Sequence, residues 1–271
     1  MNLIVNKKNR MIDLNSIGAI FFDLDRTTLD SRKEMPFENL EIIEKLISLN
    51  KNVVIATARP YRATQKYFSK TTLEKISLIL LNGAEIYFKN KKVKQFIITK
   101  KDIENIYTEL TNEFTKITFG YEYNGLCQTN AHFTRHWHKS MENKVDFDDY
   151  KIEASSKILI DIPSLDLKTF ITENYSKDLK ITITDGDTLC QIMPKQTSKS
   201  KALKYLEKHH INYSKRICFG DDVNDIDLFE FCDYPIAMKN AIPEIKQLAY
   251  FETLSNDNNG IHHFFKTMIN V

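Results

Sequence analysis

Only four cysteines occur in the 271 residues, Cys127, Cys190, Cys218 and Cys232, and no two stand as C-x-x-C. Neither a disulfide framework nor a zinc site is indicated, and a reducing cytosol is the default compartment. An excess of charge is missing too: 38 basic against 36 acidic residues leave a formal net charge of +2. That gives no electrostatic footprint for nucleic acid or an anionic membrane. No apolar run approaches the roughly 20 residues of a membrane-spanning helix. The amino end, MNLIVNKKNR, has its apolar and basic parts in the wrong order for a signal peptide. A short extension before the first core strand is expected there, with Met11 as an alternative start. Glycine is also scarce, seven in all, which matters at the motifs below.

What is present is an ordinary globular composition, 42% apolar and 27% charged, in a chain long enough for one large domain or two modest ones. An apolar strand, Ala19 to Phe22, runs straight into two acids, Asp23 and Asp25, followed by the hydroxyls of Thr27 and Thr28. Pro36 opens a helix to Leu49 in which Phe37, Leu40, Ile43 and Ile47 recur at three- and four-residue steps. Val53-Val54-Ile55 reads as a parallel strand covered on both faces, ending at Thr57. Further expectations are a helix over 62–75, a strand over 78–81, a turn at Asn82-Gly83 and a hairpin with its tip at 89–92.

The middle differs. A helix over 101–114, strands over 117–119, 157–162, 179–184 and 188–193, and a helix over 167–173 describe an α+β segment, with 121–150 unassigned. Residues 86–189 are therefore expected to form an α+β domain inserted into a core made of 1–85 and 190–271. The last part resumes the first pattern: a helix capped by Thr197-Ser198, a short strand over 216–219 ending in GDDVND, and two more strands and helices. Strands alternating with helices predict an α/β core, a doubly wound parallel sheet with right-handed crossovers.

Four clusters fall at strand ends or helix starts of that core: Asp23 with Asp25, Thr57, Lys199, and Asp221 to Asp225. In a doubly wound sheet such ends converge on one crevice. A carboxylate beside a cation can attack phosphorus, and a second acid two residues on can move the proton. Lys199 in the first turn of a helix offers an ammonium beside a helix N-terminus, and Thr57 a hydroxyl donor. The remaining acids would repel a phosphate unless a hard divalent cation, most plausibly magnesium, lay between them.

In these four matches, DLDRT, ATARP, TSKSKAL and GDDVND, the chain resembles the haloacid dehalogenase superfamily, and within it the Cof-type phosphatases with a large α+β cap. Asn82-Gly83, IAMKNA and SNDNNGI look like further family features, and the likeness runs from Ile17 onward. The resemblance implies that Asp23 is the nucleophile and Asp25 the general acid and base. It implies that Thr57, Ala58, Lys199 and Asn224 hold or support the phosphoryl group. It also implies that magnesium is bound by Asp23, the main-chain carbonyl of Asp25, Asp221 and Asp225. The implied activity is hydrolysis of small phosphorylated metabolites through an aspartyl-phosphate, with the cap covering the site. Phosphoryl transfer to a sugar hydroxyl and a non-enzymatic binding role are the alternatives. No nucleic acid or membrane partner is expected, and the substrate and the oligomeric state stay open.

The chain departs from the family where glycine is usual, carrying Arg26, Ala58 and Ser200 instead. Arg26 is either a tolerated substitution or a ligand for an anionic part of the substrate. Asp222 and Asp227 read as solvated acids, the lysines at 89, 91, 92 and 94 as a solvated hairpin, and His132 and His136 as packing, surface or substrate-contact residues. His209-His210 and His262-His263 read as helix-end residues paired with the dipole.

Overall fold

The computed structural model describes residues 11–131, 142–145, 151–184, 186–212 and 214–270. It divides into two compact units. One holds the chain up to Arg59, Ala63–Val93 and everything from Ser198; the other holds Pro60–Arg62 and Lys94–Thr197. The boundaries at Val93 and Ser198 differ from the expected 86 and 189. The hairpin after Gly83 continues the first unit's sheet, and the strand over 189–194 pairs within the second.

In chain order the described part begins with β1 (Ile12–Asp13), β2 (Ile17–Phe22), α1 (Phe37–Ser48), β3 (Asn52–Ala56), α2 (Tyr61–Thr64), α3 (Lys70–Leu73), β4 (Ser77–Leu80), β5 (Glu85–Phe88) and β6 (Lys91–Gln95), all in the first unit except parts of α2 and β6, which straddle the boundary. The second holds α4 (Lys100–Glu113), β7 (Phe119–Tyr123), β8 (Leu126–Thr129), β9 (Glu142–Lys144), β10 (Ile158–Asp161), α5 (Leu165–Tyr175), β11 (Leu179–Thr184) and β12 (Leu189–Pro194). The first resumes with α6 (Lys199–His209), β13 (Lys215–Gly220), α7 (Ile226–Phe231), β14 (Tyr234–Ala237), α8 (Pro243–Leu248), β15 (Phe251–Glu252), α9 (Gly260–Met268) and β16 (Ile269–Asn270).

Among the described residues the larger sheet runs β15-β14-β13-β2-β3-β4-β5-β6, parallel from β15 to β4, with β5 antiparallel to β4. The chain walks outward from β2 through β6, then returns to the other side of β2 as β13. That reversal is the topological switch point, and ligands in such sheets collect at the strand ends there. Alternating side chains explain the burial. Ala19, Phe21, Val54, Ile79 and Cys218 pack on one face against Ala202, Leu203, Leu206, Leu228 and Ile245 from α6, α7 and α8. Phe22 and Phe219 stack at 5.3 Å, and Phe219 meets Phe264 of α9 edge to face.

The smaller sheet runs β11-β12-β10-β7-β8-β9. Phe119, Tyr121, Ile158, Ile160, Cys190 and Ile192 pack against Ile103, Ile106 and Leu110 of α4 and Leu167 and Ile171 of α5. This is the expected α+β composition. All four cysteines are free, and among the described residues no helix is long and apolar enough to cross a membrane.

Some local expectations fail for identifiable reasons. The inward face of α1 carries Asn39, Ile43 and Leu46, while Phe37 is 69% exposed. Asn39 Nδ2 donates to the Thr28 carbonyl at 2.9 Å, so a polar residue shares the inward face with Ile43 and Leu46. The single helix over 62–75 is two short ones, because Ser69 accepts a hydrogen bond from the Thr72 amide and starts α3 afresh. The strand placed at 117–119 begins only at Phe119. The Asn130 side chain accepts from the Phe119 amide and donates to the Ile117 carbonyl, displacing the ladder there. His132 and His136 lie outside the described residues. His262 and His263 sit in the first turn of α9, where the dipole opposes a cation, so that explanation does not apply.

Candidate active site

Asp23 continues straight out of β2, its amide donating to the Phe219 carbonyl of β13 at 3.2 Å. The five residues that follow form one wide turn closed by the Leu29 amide on the Leu24 carbonyl. Its own hydroxyls hold it: Thr28 Oγ1 donates to the Asp23 carbonyl, and Thr27 Oγ1 to Asp221 Oδ1 at 3.1 Å. Outside groups hold the carbonyls. Asn240 Nδ2 reaches that of Arg26 at 2.8 Å, Asn39 that of Thr28, and Asn256 Nδ2 that of Leu29 at 3.1 Å. The Asn256 amide in turn donates to Asn240 Oδ1. IAMKNA and SNDNNGI, carrying Asn240 and Asn256, are thus splints for the loop that bears the two acids.

Lys199 is fully buried, and its ammonium donates to Asp23 Oδ1 at 2.7 Å and to Asp225 Oδ1 at 2.6 Å. Two glycines permit this approach. Gly83 has φ +99°, and a β-carbon there would lie 2.3 Å from the carbonyl oxygen of Ser198, the N-cap of α6. A β-carbon on Gly220 would lie 2.6 Å from the carboxyl carbon of Asp225. Asp225 Oδ2 also accepts from the Asp221 amide at 3.1 Å. Asp222 and Asp227 are not merely solvated. Asp222 caps the short helical turn over 223–225, and Asp227 Oδ2 accepts from the Ser200 amide at 3.0 Å, capping α6.

Carboxylate oxygens of Asp23, Asp221 and Asp225 lie within 4.8 Å of one another, all three residues buried. Burial pushes the Asp221 carboxyl up to about 7, helped by the Asp225 charge and opposed by Arg26 and Thr27. Burial likewise raises Asp23, against the pull of Lys199. Burial alone would lower the Lys199 ammonium, but Asp225 and Asp23 outweigh it and hold the group protonated. Three acids against one buried ammonium leave surplus negative charge on an all-oxygen donor set. That combination fits a hard divalent cation. The side chain of Asp25 is not part of this cluster.

Asp25 instead pairs with Arg59, whose Nε donates to Oδ2 at 2.7 Å and Nη2 to Oδ1 at 2.6 Å. Arg59 Nη1 also donates to the Tyr67 hydroxyl at 2.8 Å, which itself donates to the Lys33 carbonyl. Burial would raise the Asp25 carboxyl, yet the Arg59 hydrogen bonds and charge bring it below the usual range. In this arrangement Asp25 can accept a proton but has none to give. Sequence reasoning passed over Arg59, although it stands in ATARP next to two residues that were singled out.

Thr57 lies just past β3, buried, its amide on the Ile79 carbonyl and its hydroxyl accepting from the Arg59 amide at 3.2 Å. Its neighbour Ala58 is half-buried. Asn224 Nδ2 donates to Asn82 Oδ1 at 3.1 Å, joining the GDDVND turn to the Asn82-Gly83 turn. Arg26 extends to Asp221, Nε to Oδ2 at 3.6 Å.

The sequence profile of the haloacid dehalogenase-like hydrolases matches residues 20–265. The chain belongs to that family. It is an enzyme of the Cof-type branch, with a doubly wound core and an inserted α+β cap. It is similar to the Bacillus subtilis protein YwtE, a 5-amino-6-(5-phospho-D-ribitylamino)uracil phosphatase, at 25% identity over 93% of this chain and 98% of the relative. Among solved structures it resembles TM0651 of Thermotoga maritima, with a TM-score of 0.80 and 24% identity over 93% of this chain and 98% of that one. The sugar phosphatase BT4131 shares the fold at a TM-score of 0.78 and 17% identity, over 92% of this chain and 97% of that one.

Proposed function

We propose that this hydrolase is a magnesium-dependent phosphomonoesterase acting on small phosphorylated metabolites, with Asp23 as its nucleophile. The observation that carries the reading is the buried Lys199 ammonium bridging Asp23 and Asp225 beside Asp221. Asp23, Asp221 and the main-chain carbonyl of Asp25 would hold the ion, with Asp225 supporting it. When bound, magnesium offsets the negative charge of the phosphoryl oxygens.

In the first step an Asp23 carboxylate oxygen attacks phosphorus as the bond to the leaving oxygen breaks. That oxygen takes a proton from Asp25 and departs as an alcohol, leaving an aspartyl-phosphate. In the second, Asp25 takes a proton from water, and the water oxygen attacks phosphorus. Inorganic phosphate leaves and the Asp23 carboxylate is restored. Lys199 and the Thr57 hydroxyl hold the phosphoryl oxygens, and the separate turns carrying Ala58 and Asn224 support them. Proton donation by Asp25 requires the Arg59 pair to open in the first step, and its re-formation suits the second. The relatives' names, a phosphorylated ribitylaminouracil and sugar phosphates, support a polyhydroxylated phosphomonoester as substrate. Phosphate release from an aryl phosphate with magnesium tests the reading: wild type is active and Asp23→Asn is silent. Equal release from both removes Asp23 as nucleophile.

A further inference from the structure

Arg26 is the member of the site loop least suited to its position. Its backbone is left-handed, φ 58°, a conformation that glycine adopts freely and a side-chain-bearing residue resists. One asparagine anchors it at both ends, Asn240 Nδ2 donating to the Arg26 carbonyl while Arg26 Nη2 donates to the Asn240 carbonyl at 3.4 Å. So placed, the guanidinium stands 3.6 Å from Asp221 Oδ2, with its own side chain 62% exposed.

The engagement of the surrounding oxygens is uneven. Asp23 Oδ1 and Asp225 Oδ1 are held by a buried ammonium, Asp225 Oδ2 by a backbone amide, and Asp221 Oδ1 by Thr27. Among the described residues, Asp221 Oδ2 is held only at 3.6 Å, by the exposed Arg26. Asp23, Asp221 and Asp225 carry three negative charges when ionised, and Lys199 cancels one. The remaining two match a divalent ion, and Arg26 leaves only one of them uncompensated.

We propose that Arg26 is a built-in counter-cation that competes with the divalent metal for Asp221. The guanidinium pairs with Oδ2 when the metal is absent and swings into solvent when the ion takes that oxygen. Its exposure makes the displacement cheap, and its charge raises the concentration of metal needed to fill the site. The inference rests on the metal reading under Proposed function, and the experiment separates the two.

The measurement is binding of Mn²⁺ alone, followed by the electron paramagnetic resonance signal of the free ion, with no substrate present. Saturable binding by wild type, lost in Asp221→Asn, establishes the site itself. Arg26→Gln removes the charge and keeps the β-carbon; Arg26→Gly also relaxes the backbone. Both variants are expected to bind Mn²⁺ about three- to tenfold more tightly than wild type at low ionic strength. The gap should shrink as salt screens the exposed guanidinium. Unchanged or weaker binding in both variants overturns the proposal. Tightening in Arg26→Gly alone also overturns it, since the backbone would then be the cause. An Arg26→Gln protein with unaltered Mn²⁺ affinity but a raised KM assigns Arg26 to the substrate instead. If wild type shows no saturable Mn²⁺ binding, the metal reading and this proposal fall together.

Discussion

Arg59 and Asp25 form a two-point ion pair across 34 residues of sequence, with contacts of 2.6 and 2.7 Å, and Tyr67 steadies the guanidinium from behind. The pair keeps the proposed proton carrier ionised. Replacing Arg59 by alanine leaves burial as the dominant influence on Asp25, so its carboxyl should titrate at higher pH. The check is ¹³C NMR titration of the Asp25 carboxyl in wild type and Arg59→Ala. An unmoved titration would mean that the pair does not govern the group.

Lys199 offsets two buried carboxylates at once. Its removal strands Asp23 and Asp225 in the interior, a cost of roughly 3–5 kcal/mol for a broken buried pair. Lys199→Ala should melt well below wild type and lose at least about a hundredfold in kcat. Magnesium should restore more of the melting temperature in the variant than in wild type, because the ion then faces the larger charge surplus. Differential scanning calorimetry across a magnesium series reads both effects.

Gly83 lets the start of α6 come close enough for Lys199 to reach Asp23. With φ +99° and a hypothetical β-carbon 2.3 Å from the Ser198 carbonyl, alanine there must push that helix start away. Gly83→Ala should lose about 2 kcal/mol or more and most of the activity. Gly125 makes the matched control. Its φ is +77°, but nothing lies within 4 Å of its would-be β-carbon. Gly125→Ala should cost about 1 kcal/mol and leave kcat unaltered.

Stability of the metal-free protein should fall as pH rises from about 4 to about 7. An unfolded Asp221 gives up its proton near pH 4, whereas the folded one keeps it until about 7. In that window the native state binds more protons than the unfolded state, so the free energy of unfolding decreases with pH. A fall in melting temperature on the order of 5 °C is expected between pH 5 and 7.5. It should be smaller in Asp221→Asn and smaller again in wild type with saturating magnesium. Asp25, shifted the other way by Arg59, adds no slope in that range. Thermal melts in chelator across the pH series test this, and a flat profile would contradict it.

The strands of the core and the four acid, hydroxyl and lysine clusters were legible because each is a local pattern: an apolar run, then polar residues at its carboxyl end. What the sequence concealed were partners set by tertiary contact. Nothing in ATARP itself marks Arg59; only the fold brings it to Asp25. Asn240 is 214 positions from the Arg26 carbonyl that it holds, and no spacing rule links them. The apolar spacing in α1 did not reveal its inward face, because a polar residue, Asn39, faces inward there while Phe37 is exposed. Ser69 was legible in principle. Serine is a preferred N-cap, but this one lay inside a stretch that reads as one continuous helix.

The central claim is that Asp23 carries the phosphoryl group during turnover. Acid quenching of the magnesium-loaded enzyme during hydrolysis of a radiolabelled phosphomonoester, followed by proteolysis, tests it directly. The label should be found on the peptide containing Asp23 in wild type, increase in a variant lacking the Asp25 carboxylate if its loss slows hydrolysis of the intermediate, and be absent from Asp23→Asn. Full turnover with no label on that peptide, or label retained in Asp23→Asn, would contradict the account.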